Sequence, residues 1–302
     1  MRADRRTVLL GAGALMLAAC SREVKSAETD LDADIEADVG TLDLDLSDLE
    51  ARHGGRLGLA VASGATNAAW RGDERFVYCS TFKMYLAAAT LLRVQAGQEQ
   101  LDRAIPITAA DMINHAPTTE KAVGSTLTVE QLMQATVELS DNPAANILIR
   151  EMGGLESLRA FYRGIGDDST RVDRLEPEMN RFDGDKDTIT PIQSVENISR
   201  LLVSPDTPLN AASKILLMRW MTDTPTGQGR IKAGVPAGWT VAHKTGSGGY
   251  GPTNDIGLIQ RPDGAPIVIA VYFHATRDST DAQREAVIAD ATRLALKALG
   301  HG

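Results

Sequence analysis

Residues 240–273 read TVAHKTGSGGYGPTNDIGLIQRPDGAPIVIAVYF, and this stretch decides the fold class. It contains three strand-like runs, at 240–247, 255–260 and 266–273, each rich in β-branched and apolar residues. Pro262-Asp263-Gly264 supplies the turn chemistry for a hairpin between the last two. The run DAQREAVIADATRLALKALG at 281–300 then has the spacing of an amphipathic helix closed by Gly300. Near the other end, RLGLAVAS at 56–63 alternates like a strand, with a second strand expected around Ala69–Arg71. Before them, Leu42–His53 is predicted to be a helix stopped by Gly54-Gly55. From Ser80 to about Gly251 the pattern is mostly helix and loop, with one strand cue at most. The expectation is an α/β fold: an antiparallel sheet built from both chain ends and flanked by helices, with an inserted all-helical lobe. The functional site is expected where the two meet.

The first forty residues differ from the rest. MRADRRTVLLGAGALMLAAC places paired Arg5-Arg6 before an apolar run, Val8–Ala19. Twelve apolar residues are too few to span a bilayer, so residues 1–19 read as a signal peptide. Arg5-Arg6 resembles a twin-arginine export signal, and Leu17-Ala18-Ala19-Cys20 resembles a bacterial lipobox. The implied product is periplasmic or on the cell surface, lipidated at Cys20. Residues 28–50 carry ten acids and no Lys or Arg, so most of the net charge of −9 sits there. Residues 20–42 have too few large side chains to order themselves and read as an acidic tether to a catalytic domain at 43–302. The body shows no basic stripe for nucleic acid. Cys79, the second cysteine, has no intrachain partner once Cys20 is acylated, and is assigned to packing. The five histidines show no metal-ligand spacing.

Four short motifs carry chemistry. Ser80-Thr81-Phe82-Lys83 opens a helical run and sets a hydroxyl and an amine three residues apart, within reach on one helix face. A serine is a weak nucleophile until a neighbour takes its proton, and a buried lysine can do so. Ser140-Asp141-Asn142-Pro143 follows a helix; Asn142 is placed to cap the next one, and Ser140 offers a second hydroxyl. Lys244-Thr245-Gly246 on an edge strand offers a cation, a hydroxyl and close backbone access to a substrate carboxylate. Glu176, restricted by Pro177 and open to a cis bond, lies four residues before Asn180; together they suit a general base acting through water. Each motif alone also fits a capped core helix, a solvated loop or an exposed strand lysine.

Their order and spacing together resemble the class A serine β-lactamases over about residues 45–300. The resemblance implies a role for each residue. Ser80 attacks the β-lactam carbonyl and becomes acylated. Lys83, or Glu176 through a water, takes its proton. Ser140 passes a proton to the lactam nitrogen, and Glu176 with Asn180 activates the deacylating water. Asn142 contacts the substrate's side-chain amide. The backbone N–H groups of Ser80 and Ser247 form an oxyanion hole, while Lys244, Thr245 and Gly246 receive the carboxylate beside Arg230. His115 lines the entrance where an aromatic ring is usual. Arg174 and Asp187 pair to close the Glu176 loop, and Asn146 ties that loop to the helical lobe. There are departures: the stretch 180–187 is about two residues short, His243 stands where Asp is usual, and Gly248 stands where some relatives carry a disulfide cysteine. The expected activity is hydrolysis of penicillins and cephalosporins by a monomer that needs no cofactor or metal, binds no nucleic acid, and meets a membrane only through Cys20. A DD-peptidase or penicillin-binding protein would share Ser80, Ser140, Asn142 and Lys244 but not the Glu176–Asn180 pair. A β-lactam sensor would need a signalling segment.

Overall fold

The strand runs at 56–63 and 240–274 form the centre of one six-stranded sheet. The computed structural model describes residues 40–276 and 278–301. The signal peptide, Cys20 and the tether up to residue 39 lie outside the described residues. The sheet strands are β1 (Gly40–Leu42), β2 (Arg56–Ser63), β3 (Thr66–Trp70), β4 (Thr240–Ser247), β5 (Pro252–Gln260) and β6 (Ile267–His274). Their order is β1-β3-β2-β6-β5-β4, so both chain ends build the sheet and β4 is an edge. All pairings are antiparallel except β1 with β3, which is parallel.

The sequence expectation needs three corrections. The helix predicted over 42–53 is α1, Ser47–His53 only; Leu42, Leu46 and Leu49 keep helical spacing, but Leu42, Leu44 and Leu46 also alternate with aspartates, and Asp45 Oδ1 takes the Ser47 N–H at 2.8 Å where a longer helix would use a backbone carbonyl, so residues 40–42, expected in the tether, form the edge strand β1. Two short ribbons form, Phe76–Val77 with Thr188–Ile189 and Ala104–Pro106 with Thr126–Thr128; all but Phe76–Val77, for which no element was predicted, lie where helix and loop were expected. Runs of two or three residues are below what periodicity can detect. Finally, the cap of the fourth helix is Asp141, not Asn142.

The helices between are α2 (Phe82–Gln95), α3 (Val129–Glu138), α4 (Asn142–Glu151), α5 (Leu155–Gly164), α6 (Pro191–Ile198), α7 (Ala211–Asp223) and α8 (Ile231–Gly234); α9 (Asp281–Ala298) follows the sheet. Helix α2 is the axis of the helical lobe, touching α3, α4, α5 and α7, with Phe82 to Leu91 all buried. Alternation along β6 shows how the sheet divides two cores. Ile267, Ile269, Val271 and Phe273 face α1, α8 and α9, whereas Val268, Ala270 and Tyr272 join the core of the helical lobe. On β4 the same alternation sends Lys244 toward the helices and His243 and Thr245 to the other face.

Candidate active site

The nucleophile motif begins in a tight turn, Cys79–Thr81, that runs into α2. Cys79 takes a left-handed φ of 48°, a strained setting for a non-glycine residue. The turn is held by its neighbours. Tyr78 O accepts from Thr81 Oγ1 at 2.8 Å and from Asn254 Nδ2 of β5 at 3.1 Å. Gly246 of β4 packs onto it so closely that a Cβ there would lie 2.7 Å from Tyr78 O and 3.1 Å from Thr81 N. Glycine is therefore what lets the K-T-G strand approach the serine.

Lys83 is fully buried one helical turn into the lobe. Its Nζ donates to Ser140 O at 2.7 Å, Ser140 Oγ at 3.3 Å and Asn142 Oδ1 at 2.5 Å, and pairs with Glu176 Oε1 at 3.1 Å. Burial pushes its amine below the usual lysine range, and the Glu176 carboxylate opposes this. The direct Ser80–Lys83 bond expected from their spacing is not formed. Ser80 Oγ instead donates to Glu176 Oε1 at 3.4 Å, because four oxygens converge on the amine from other elements.

Glu176 is held at both ends of its residue. Asn146 Nδ2 donates to its carbonyl at 2.8 Å, and its N–H donates to Asn146 Oδ1 at 3.0 Å. The Glu176–Pro177 bond is cis. Asn180 Nδ2 donates to Glu176 Oε2. Asn180 Oδ1 is buried with no hydrogen-bond partner among the described residues. The loop is closed by Arg174 Nε on Asp187 Oδ2 at 2.5 Å, the expected pair.

Ser140, at a left-handed φ of 59°, stands between two amines: its Oγ accepts from Lys83 Nζ at 3.3 Å and Lys244 Nζ at 3.2 Å. Lys244 is fully buried, and desolvation pushes its amine well below its ordinary range, reinforced by Lys83. Arg230 spans the ends of β4 and β5. Its Nη1 donates to Gly246 O at 3.1 Å and Asn254 O at 2.8 Å, and its Nη2 to Ser247 Oγ at 2.8 Å. His115 Nε2 bonds Leu139 O at 2.9 Å, and His115 O accepts from Asn142 N at 3.0 Å, so the entrance loop is stapled to the S-D-N segment.

Ser80, His115, Asn142, Asn180, Thr245, Ser247 and Arg230 thus line one cleft of ≈ 520 Å³. Lys83, Glu176 and Lys244 lie buried behind it, joined through Ser80 and Ser140. A second cavity, ≈ 570 Å³ and bordered by Gln193, Glu196 and Arg200, has no comparable convergence of buried polar groups. Sequence reading passed over four contributors. Asp141 caps α4 through Ala144 N at 2.9 Å and holds the Thr118 and Thr119 N–H groups. Thr226 Oγ1 meets Thr245 Oγ1 at 2.9 Å. Asn254 and Asp255 support the site from β5. Only Asp141 carried a cue, as the centre of S-D-N. Cys79 is a buried free thiol whose pKa burial pushes far up, so it packs rather than reacts. Among the described residues, no group of three His, Cys, Asp or Glu side chains is placed to hold a metal.

Comparison with known proteins agrees with this geometry. Residues 41–299 match the family described as the beta-lactamase enzyme family. The chain is 41% identical to beta-lactamase OXY-2 of Klebsiella oxytoca over 259 residues, covering 84% of this chain and 88% of that protein. It is 39% identical to beta-lactamase CTX-M-8 of Citrobacter amalonaticus over 250 residues, 82% and 85% of the two chains. Among solved structures, an ancestral (GNCA) class A beta-lactamase superimposes with a TM-score of 0.79 at 47% identity, covering 84% of this chain and 98% of that one. The class A beta-lactamase from Mycobacterium abscessus gives 0.80 at 42% identity, covering 84% and 98%. With the nucleophile turn, the buried lysine–glutamate pair and the K-T-G edge strand gathered at one cleft, the chain belongs to the class A serine β-lactamases.

Proposed function

We propose that this protein hydrolyses the β-lactam amide of penicillins and cephalosporins through a Ser80 acyl-enzyme and so confers resistance to them. Ser80 Oγ attacks the lactam carbonyl carbon, the C–N bond breaks, and the nitrogen takes a proton through Ser140. Water then attacks the Ser80 ester, giving its proton to Glu176; the ester C–O bond breaks, Glu176 returns the proton to Ser80 Oγ, and the ring-opened acid leaves. The observation that carries this reading is Glu176: it lies 3.4 Å from Ser80 Oγ and is bonded to Asn180, whose buried Oδ1 accepts from none of the described residues. A water bridging Asn180 Oδ1 and the carboxylate would satisfy that atom and face the ester. The proton of Ser80 goes to Glu176, directly or through water, or to Lys83; the 3.4 Å contact favours the Glu176 route. Lys244, Thr245 and Gly246 with Arg230 take the substrate carboxylate, Asn142 its amide, and His115 borders the entrance. The Ser80 and Ser247 N–H groups receive the oxyanion.

The test is a chromogenic cephalosporin mixed with purified residues 21–302. Many turnovers per enzyme are expected, and none with Ser80→Ala. Glu176→Ala should acylate and then stall, leaving a stable mass increase on Ser80. A single stoichiometric burst from the wild type would instead identify a penicillin-binding acyl trap. We also propose that residues 1–19 direct export by the twin-arginine route and that Cys20 is lipidated, anchoring a monomeric enzyme through the tether. A membrane-fraction protein whose N-terminus is an unmodified residue other than Cys20 would refute this.

A further inference from the structure

Beneath the carboxylate side of the cleft lies a buried pair that the proposed reaction does not use. His243 on β4 and Asp255 on β5 are both fully buried. The register sets Asp255 opposite Thr245, so Asp255 and His243 are diagonal neighbours on the sheet face turned away from the helical lobe. His243 Nδ1 lies 2.8 Å from each Asp255 oxygen. Asp255 Oδ2 also accepts the Ile231 N–H at 3.1 Å, which marks the carboxylate as acceptor and Nδ1–H as donor.

The pair leads directly to the cleft. Ile231 follows Arg230, the residue that grips the ends of β4 and β5. Arg230 N donates to Gly227 O at 3.0 Å, closing a turn over this face. Gly227, at φ 66°, sits so close that a Cβ would lie 2.4 Å from Thr245 Cγ2 and 3.1 Å from His243 Cε1. The turn bearing Arg230 therefore rests on His243 and Thr245 and is pinned at its end by Asp255. His243 Nε2, by contrast, is buried with no partner among the described residues. Among the described residues, the hydrogen bonds of the His243 ring are therefore those of Nδ1 to Asp255.

We propose that His243 and Asp255 are positioning residues that fix Arg230 and Lys244 for the substrate carboxylate, and so set substrate affinity rather than the rate of bond cleavage. This rests on reading Lys244, Thr245 and Arg230 as the carboxylate clamp. Without Nδ1–H, the Asp255 carboxylate is buried with one fewer donor and draws on the cations near it, Lys244 and Lys232. Either response moves the clamp.

The experiment compares two cephalosporins that differ only in a free carboxylate or its methyl ester. For the wild type, KM for the acid should be at least about tenfold lower than for the ester. Equal values would remove the clamp reading itself. For His243→Leu, KM for the acid should rise about tenfold while kcat stays within about threefold and the ester's KM is unchanged. His243→Asn, whose amide N–H falls near the Nδ1 position, should restore the acid's KM to within about twofold. In an Arg230→Ala background His243→Leu should add little, because both act on one element. If His243→Leu does not fold, Asp255→Asn reads the same split. The proposal is overturned by an unchanged KM for the acid, by equal losses on acid and ester, or by full additivity with Arg230→Ala.

Discussion

Lys83 shows what a single residue's surroundings decide. On the helix its spacing from Ser80 suggests a private pair, yet its amine is spent on Ser140 and Asn142 at the start of α4 and on Glu176 of a distant loop. Burial favours its neutral form and the Glu176 carboxylate favours the charged one. Replacing it with methionine keeps the bulk and leaves Glu176 buried without its cation. Removing one member of a buried pair costs about 3–5 kcal/mol. Lys83→Met should therefore melt well below the wild type in a thermal scan. Its acylation rate, read by stopped-flow with excess enzyme, should fall by about 10²–10⁴, the span of a misplaced general base. A variant that acylates at the wild-type rate would remove Lys83 and its pairing with Glu176 from the acylation step. The residue types and order of this site were legible in the sequence. The wiring was not, because hydrogen bonds between residues 57 to 104 positions apart depend on the fold and not on local spacing. His243 is the sharper case: it registered only as an unusual residue before Lys244, and nothing local indicates that it faces Asp255.

At the scale of an element, the loop from Arg174 to Asp187 stays closed although it is short. Asp187, fully buried, accepts Arg174 Nε at 2.5 Å, the N–H groups of Asp173 at 2.8 Å and Arg174 at 3.0 Å, and the Tyr78 hydroxyl at 3.3 Å. The carboxylate thus ties the loop's two ends to each other and to the nucleophile turn. Hydrogen bonds to charged groups are worth about 1.5–3 kcal/mol each, so Asp187→Asn should cost at least about 2 kcal/mol in urea unfolding. Deacylation should suffer more than acylation, since Glu176 is positioned by this loop; equal losses in the two rates would contradict that. The loop also has an acid-sensitive contact. Phe182, 59% exposed, packs on the His274 ring at a centroid distance of 5.5 Å. Burial holds His274 below its ordinary pKa of 6.5, aided by Arg56. A folded-state pKa lowered in this way means the unfolded chain takes up the proton first. The contribution is therefore complete above pH about 6.5 and is lost as pH falls through and below that value. The melting temperature should drop between pH 7.5 and 5, and His274→Phe should flatten part of that slope. A slope identical in wild type and variant would assign the acid sensitivity elsewhere.

Across the whole molecule, the sheet separates the core that surrounds Lys83 from a second core, under α9, that meets the cleft only at the Arg230 turn, through Ile231 and the Arg230–Glu285 pair. The long elements of this architecture were readable because strong periodicity spans them: β2 runs over 56–63 and β4 over 240–247, as their alternation predicts. Strand β1 and the two ribbons were not, since each is fixed by a partner distant in sequence and has too few residues to show a period. The division into two cores yields a paired prediction. Leu296, on α9, is buried in the core between the sheet and the terminal helices, on the face away from Lys83. Met84, on α2, is buried in the other core and is the residue next to Lys83. Truncating either to alanine removes comparable apolar volume and should cost about 2–5 kcal/mol, depending on how far each site collapses. Only one loss should reach the reaction. Leu296 lies about three helical turns from Glu285, the α9 residue that pairs with Arg230 at 3.2 Å, so the cavity can relax by small shifts of the far end of α9, and kcat/KM should stay within about twofold below the melting range. Around Met84 any relaxation moves the first turns of α2, and with them an amine whose four contacts span only 2.5–3.3 Å. Misplacing a positioned group by about 1 Å is enough to cost on the order of 10²-fold. Met84→Ala should therefore lose at least about tenfold in kcat/KM at a temperature where it is fully folded. Urea unfolding of both variants, followed by kinetics with the chromogenic cephalosporin, decides the matter. Equal kinetic losses for equal stability losses would mean that the sheet does not insulate the site from its far core.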